Sequence, residues 1–202
     1  QEKAPDIAHY DEVVPFEMTP FRCRIYRPQR CGGAIIVLPG LHPDGLDDAR
    51  LDRFCRVLAG AGILVGIPEL PTMKASVMHP SLLRETRVAL QYFQRQFQMH
   101  DIDTSGRFCI SASSIAGLTV ANDEELSPFL HRIHLFGGFA DWNEALRFSM
   151  TGEISHPDGS VEQVSIDPLG LPVVYMNIQQ SFPDFLPFST GVQGQMMRAW
   201  HR

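Results

Sequence analysis

Ala34-Ile-Ile-Val-Leu38, set between Gly32-Gly33 and Pro39-Gly40, is a five-residue run without a single polar side chain. A strand of that composition has to bury both of its faces, which places it inside a parallel sheet covered by helices on either side. The residues that follow supply such a cover. Asp48 to Ala61 sets Leu51, Phe54, Leu58 and Ala61 at helical spacing. Asp47 and Asp48 stand at the start, where the helix dipole favours negative charge, and Gly60 and Gly62 mark the end. Ile63 to Ile67 reads as a second buried strand, closed by the Pro68-Glu-Leu-Pro71 turn. One βαβ unit is thus complete.

The alternation continues. Ser81 is placed to cap a helix reaching Phe97, with Leu82, Thr86, Ala89, Leu90, Phe93 and Phe97 on one face. Arg107 to Ala112 follows as a strand, Ile115 to Glu125 as a helix and Arg132 to Phe136 as a strand ending in Gly137-Gly138. Strands feeding helices in this order demand right-handed crossovers. The expected class is therefore α/β, a mostly parallel doubly wound sheet with helices on both faces. Phe21-Arg-Cys-Arg-Ile-Tyr26 alternates apolar and charged residues and fits a half-exposed antiparallel strand near the sheet's edge. From Thr151 onward the pattern loosens. His156-Pro-Asp-Gly159 has hairpin-turn chemistry, Val173 to Met176 suits a strand or the start of a helix, and Ser181 to Pro187 is rich in turn formers. Residues 1–202 are accordingly expected to form one domain, with 151–202 as a cap or irregular extension.

Composition excludes several function classes. A chain of 202 residues, 44% hydrophobic and 20% charged, buries a real core and is not a disordered one. Val57 to Pro68, its longest uncharged apolar stretch, holds three glycines and falls short of the roughly 20 residues that a membrane-crossing helix needs. Seventeen basic against 23 acidic residues give a net charge of −6 with no basic stripe, so nucleic acid is not an expected partner. There is no GxGxxG after the first strand and no GxxxxGK[ST], so a backbone cradle for phosphates is missing. Cys23, Cys31, Cys55 and Cys109 lack both the paired spacing of a zinc site and the density of a disulfide scaffold. Free, mostly buried thiols and a cytoplasmic location are expected, with an N-terminus at Gln1 that fits processing or trimming.

In open α/β sheets, ligands bind beyond the carboxyl ends of the strands, which singles out three loops: Pro39 to Gly45, Ala112 to Ile115 and Gly137 to Asp141. In the second, Ser111-Ala-Ser-Ser-Ile-Ala-Gly117 leaves a strand and opens a helix, the context of a nucleophile elbow around Ser113. Such a turn lifts one hydroxyl above the sheet, while the helix N-terminus offers unpaired N–H groups to a developing oxyanion. Ser111 and Ile115 stand where GxSxG has its glycines, so the match is partial.

Several stretches now add up to a resemblance: Val37-Leu-Pro-Gly-Leu-His-Pro-Asp-Gly45, Ala49-Arg50-Leu51, Leu58-Ala-Gly-Ala-Gly-Ile-Leu-Val65, Pro68-Glu-Leu70, Ile110 to Leu118, Gly137-Gly-Phe-Ala-Asp141 and Thr151-Gly152. In order and spacing, the chain resembles the bacterial serine hydrolases and esterases of the α/β-hydrolase superfamily over residues 28 to 178. The resemblance implies an α/β-hydrolase-like fold lacking its C-terminal part, a Ser113 nucleophile, and oxyanion-hole N–H groups at Leu41 and Ser114. It implies a small-molecule acyl substrate such as a carboxylic ester, and neither metal nor organic cofactor. In such families a carboxylate after a later strand and a histidine near the C-terminus complete the triad. Asp184 and His201 preserve that order, and His42 and Asp141 are the local alternatives.

Plainer readings stand beside these. Ser113 also suits a turn former, His42 a residue that shapes its loop, and Asp141 a cap for the segment beginning Trp142-Asn143. His42 with Asp44, Asp47 and Asp48 looks like a hard-metal cluster, yet Asp-rich loops before helices ordinarily cap and solvate. The second function class is a catalytically inactive relative that serves as a binding or interaction module. A partner chain, or a second copy in a homo-oligomer, would then cover the exposed edge of its shortened sheet.

Overall fold

β1 (His9–Val14), β2 (Phe21–Tyr26), β3 (Gly33–Leu38), β4 (Ile63–Pro68), β5 (Phe108–Ser111) and β6 (Arg132–Leu135) form one sheet in the spatial order β1-β2-β4-β3-β5-β6. The β4-β3-β5-β6 portion is parallel, and β2 joins it antiparallel through β4. This computed structural model describes residues 6–17, 19–42, 44–77, 79–99, 108–111, 114–136, 141–166 and 174–175. The chain divides into two compact units, Gln1–Gly138 and Phe139–Arg202.

Strand parity explains the uninterrupted apolar runs. Ile35 and Val37 of β3, with Val65 and Ile67 of β4, pack on Cys55 and Ala59 of α1 (Ala49–Gly60). Ala34, Ile36, Leu38 and Leu64 face the other way. There they meet Leu82, Ala89, Leu90, Phe93 and Phe97 of α3 (Ser81–Met99) and Ala116 and Val120 of α4 (Ser114–Ala121). A strand buried on both faces has no position left for a polar residue. The observed class is the expected one, a mostly parallel doubly wound sheet with helices on both faces. Gly66 sets the closeness of α3, because a Cβ there would lie 2.5 Å from Phe93 Cε1.

Several local expectations change. β2 is antiparallel and near the edge as expected, with β1 as the outer strand, but it is almost wholly buried and not half-exposed. Arg24 is buried because carboxylates from other elements neutralise it. In α1 the innermost residues are Cys55 and Ala59, while Phe54 is 41% exposed. The Pro68–Pro71 turn leads into a one-turn helix, α2 (Pro71–Lys74), where the buried Glu85 accepts bonds from the Thr72 N–H and hydroxyl. At the start of α3 the Ser81 N–H donates to His79 Nδ1, which takes the capping role expected of Ser81. α4 stops at Ala121 because Asp123, buried and paired with Arg87, accepts from the Glu125 and Leu126 N–H groups and folds that stretch into a turn.

In the second unit, α5 (Trp142–Thr151) ends at Gly152, whose φ of 75° is the left-handed conformation favoured at helix C-termini. β7 (Glu153–Ser155) and β8 (Val161–Gln163) then form the hairpin around the 156–159 turn. Val174 and Tyr175 are helical, and Ser181 to Pro187 lies outside the described residues. Cys23 and Cys55 are buried free thiols; burial pushes the Cys55 thiol up to about 12, whereas Cys31 is exposed. No described helix is long and apolar enough to cross a membrane.

Candidate active site

Parallel pairing of β3 with β5 sets Leu38 opposite Ser111. The chain leaves β3 through Pro39-Gly40-Leu41 and leaves β5 through residues 112 and 113, with α4 beginning at Ser114. The two exits therefore adjoin at the carboxyl edge of the sheet. They do so at the switch point, since β3 connects through α1 to β4 on one side, and β4 connects through α3 to β5 on the other. Leu41 is half-buried against the α3-side core, and the Ser114 backbone opens α4, where helical N–H groups have no intrahelical acceptor. Ser113, Asp184 and His201 lie outside the described residues. Asp141 is the N-cap of α5, accepting from the N–H groups of Asn143 at 2.8 Å and Glu144 at 3.2 Å.

A cleft of 360 Å³ opens beside the first exit, between the Pro39–His42 loop and Leu51 and Phe54 of α1. Phe54, partly exposed, lines this cleft. Asp48 and Arg50 also line it. Asp48 caps α1 through the Arg50 N–H at 2.8 Å and pairs with the Arg50 guanidinium at 2.8 Å, which holds its carboxyl down to about 2. His42 Nδ1 lies 3.6 Å from Asp48 and 3.8 Å from Asp44, while Nε2 faces Arg50 Nη2 at 3.1 Å. A guanidinium can only donate, so Nε2 is an acceptor already in use. This arrangement shapes the loop and leaves His42 poorly placed to take a proton from a hydroxyl. Among the described residues no three His, Cys, Asp or Glu side chains gather as metal ligands. Asp47 is taken up by Arg22 and Arg24, and Asp48 by Arg50.

Sequence reasoning missed a charged cluster behind the cleft. Arg22 donates to both oxygens of Glu69 at 3.0 and 2.8 Å and to Asp47 at 2.9 Å; Arg24 donates to Asp11 at 2.6 and 2.9 Å; Lys74 adds a contact to Glu69 at 2.9 Å. Its only trace in the sequence is the pair of arginines alternating along β2, with acidic partners in distant segments. The Arg24 hydrogen bond lowers the Asp11 pKa, and the Arg22 bond lowers that of Asp47. At Glu69 burial pushes upward, but Arg22 and Lys74 outweigh it and the net shift is down.

These carboxyls ionise more readily folded than unfolded. Their stabilisation is complete above the unfolded values, 3.8 for Asp and 4.5 for Glu, and is lost as the pH falls through the lower folded ones. Melting temperatures recorded from pH 7 downward are expected to hold until about pH 4.5 and then to fall. Glu69→Gln, with one titrating group fewer, is expected to show the shallower fall.

No family model matches the sequence, and no curated protein matches it. Among solved structures it is similar to a thermophilic carboxylesterase cloned from a metagenomic library, at 17% identity and a TM-score of 0.58 over 88% of this chain and 60% of that one. It is similar to a lipase/esterase from Lactobacillus plantarum, at 14% identity and a TM-score of 0.51 over 67% and 62%. It is also similar to an acylaminoacyl peptidase from Pyrococcus horikoshii, at 10% identity and a TM-score of 0.54 over 73% and 25%. The chain thus spans about three fifths of the two esterases and a quarter of the peptidase. At such identities the likeness is one of fold.

Proposed function

This chain has the α/β-hydrolase fold, and on that premise we propose that it is a serine hydrolase of carboxylic esters or related acyl substrates. Ser113 is the nucleophile, and the N–H groups of Leu41 and Ser114 form the oxyanion hole. One observation carries this reading. The Leu38–Ser111 register sets the Leu41 loop beside the strand-to-helix passage that contains Ser113, at the sheet's switch point. The esterase neighbours support the fold on which the reading rests.

In the reaction, Ser113 Oγ bonds to the acyl carbon as its proton passes to a general base. Electron density moves onto the former carbonyl oxygen, where the two N–H groups stabilise it without reorganising. Collapse expels the alcohol with the proton that the base returns, and water then releases the acid from Ser113. The cleft walls of Leu51 and Phe54 suit an apolar substituent of the ester.

A fluorophosphonate probe on the folded chain tests this. Labelling confined to the peptide containing Ser113, together with loss of p-nitrophenyl acetate hydrolysis, is the expected result. A folded protein that takes up no label overturns the reading. The engagement of His42 Nε2 by Arg50 favours the second reading, an inactive relative serving as a binding module, and an unlabelled folded chain is the outcome that this reading expects.

A further inference from the structure

Gly45 and Leu46 follow Leu41 by four and five residues, and side chains from two other elements hold their backbone. Buried Arg24 of β2 donates from Nη1 to the Leu46 carbonyl at 2.7 Å. Glu69, buried just beyond β4, faces the Leu46 N–H with Oε1 at a longer 3.5 Å. Gly45 has a φ of 53°, and a Cβ there would come within 2.6 Å of Glu69 Oε1, so only glycine lets the loop approach the carboxylate this closely. Asp47 closes the ring from within the loop, reaching Arg22 at 2.9 Å and Arg24 at 3.2 Å. Asp11 of the outer strand β1 fixes the other side of Arg24.

This charge network does more than join β1 and β2 to the sheet. Here it takes the backbone of the loop that leaves β3. We propose that Arg24 and Glu69 are positioning residues that fix the loop bearing the Leu41 N–H, and that the antiparallel β1–β2 pair thereby sets the geometry of the oxyanion hole. The proposal rests on the reading of Leu41 as an oxyanion donor. Its physical basis is preorganisation: a donor stabilises developing charge only if it already points at it, and a displacement of about 1 Å can cost about a hundredfold in rate. Buried ions hold such geometry because leaving either partner unpaired is expensive.

The test compares Glu69→Gln and Asp47→Asn in the full chain, following amide hydrogen exchange by peptide and hydrolysis of p-nitrophenyl acetate. Glu69→Gln keeps the size of the side chain and removes its charge. Asp47 is exposed, so Asp47→Asn keeps the test open should the buried variant fail to fold. The expected result is exchange about tenfold faster at residues 40–47, with rates in β3 and α3 unchanged, and kcat lowered about tenfold with KM within about twofold. Asp47→Asn is expected to act in the same direction, more weakly. Acceleration spread equally over β3 and α3, an unchanged exchange rate at 40–47, or a loosened loop with unaltered kcat each overturns the proposal. If the unmodified chain hydrolyses no ester, the serine-hydrolase reading falls by itself, and the exchange pattern still decides whether the loop is held in this way.

Discussion

Ser113→Ala is expected to lower ester hydrolysis by about 10⁴-fold or more while changing the unfolding free energy by no more than about 0.5 kcal/mol. The asymmetry follows from the chemistry. Without the hydroxyl no acyl intermediate can form, and whatever rate survives comes from binding and from the oxyanion donors. A methyl group, in contrast, satisfies the same small-residue requirement at the turn. Ser111→Ala separates this loss from general damage to the passage, because residue 111 is the last of β5 and alanine is no larger. That variant is expected to keep most of the activity. Steady-state hydrolysis of p-nitrophenyl acetate, read beside urea denaturation of each variant, checks both expectations. A full rate in Ser113→Ala would move the nucleophile elsewhere.

Phe93→Ala is expected to destabilise the fold by about 3–5 kcal/mol, a large part of the 5–15 kcal/mol typical of a domain. The ring is fully buried, lies edge-on to Tyr92 with centroids 5.1 Å apart, and covers Gly66. Gly66→Ala brings a methyl into that ring and is expected to cost about 1–3 kcal/mol. The two should not add. With Phe93 removed, the Gly66→Ala methyl enters the space the ring has left, so the double variant is expected to be more stable than the sum of the singles by about 1 kcal/mol or more. Urea denaturation of the four proteins measures the coupling. Simple additivity would show that α3 does not sit on β4 at this distance.

The sheet and its helices were largely legible before the structure. β3 and β4 were recognisable because runs such as Ala34–Leu38 have no solvated face, and α3 because its apolar positions recur at the helical period and turned out buried. The strand-to-helix passage around Ser113 was legible in outline, with β5 ending and α4 starting within two residues of it. β1 escaped notice because Asp11 and Glu12 give it no apolar run. Those two carboxylates gain their meaning from Arg24 and Tyr92, which lie 13 and 80 residues away. The same remoteness made Arg24 look solvated when it is buried, and Arg22 when it is half-buried. Phe54 looked like a core residue because periodicity identifies a stripe on a helix; it does not decide which edge of the stripe borders a cleft.

Strand order along the chain, helix positions and the two faces of β3 follow from local pattern, because burying apolar surface is roughly additive over neighbouring side chains. Tertiary structure alone decided that Arg24 of a seemingly exposed strand would be buried and would bond to the main chain beyond Leu41, with Arg22 half-buried beside it. A buried charge is tolerable only where an opposite charge and an acceptor meet it in space. Here those partners come from segments 11 to 47 residues distant, a separation that no local pattern encodes.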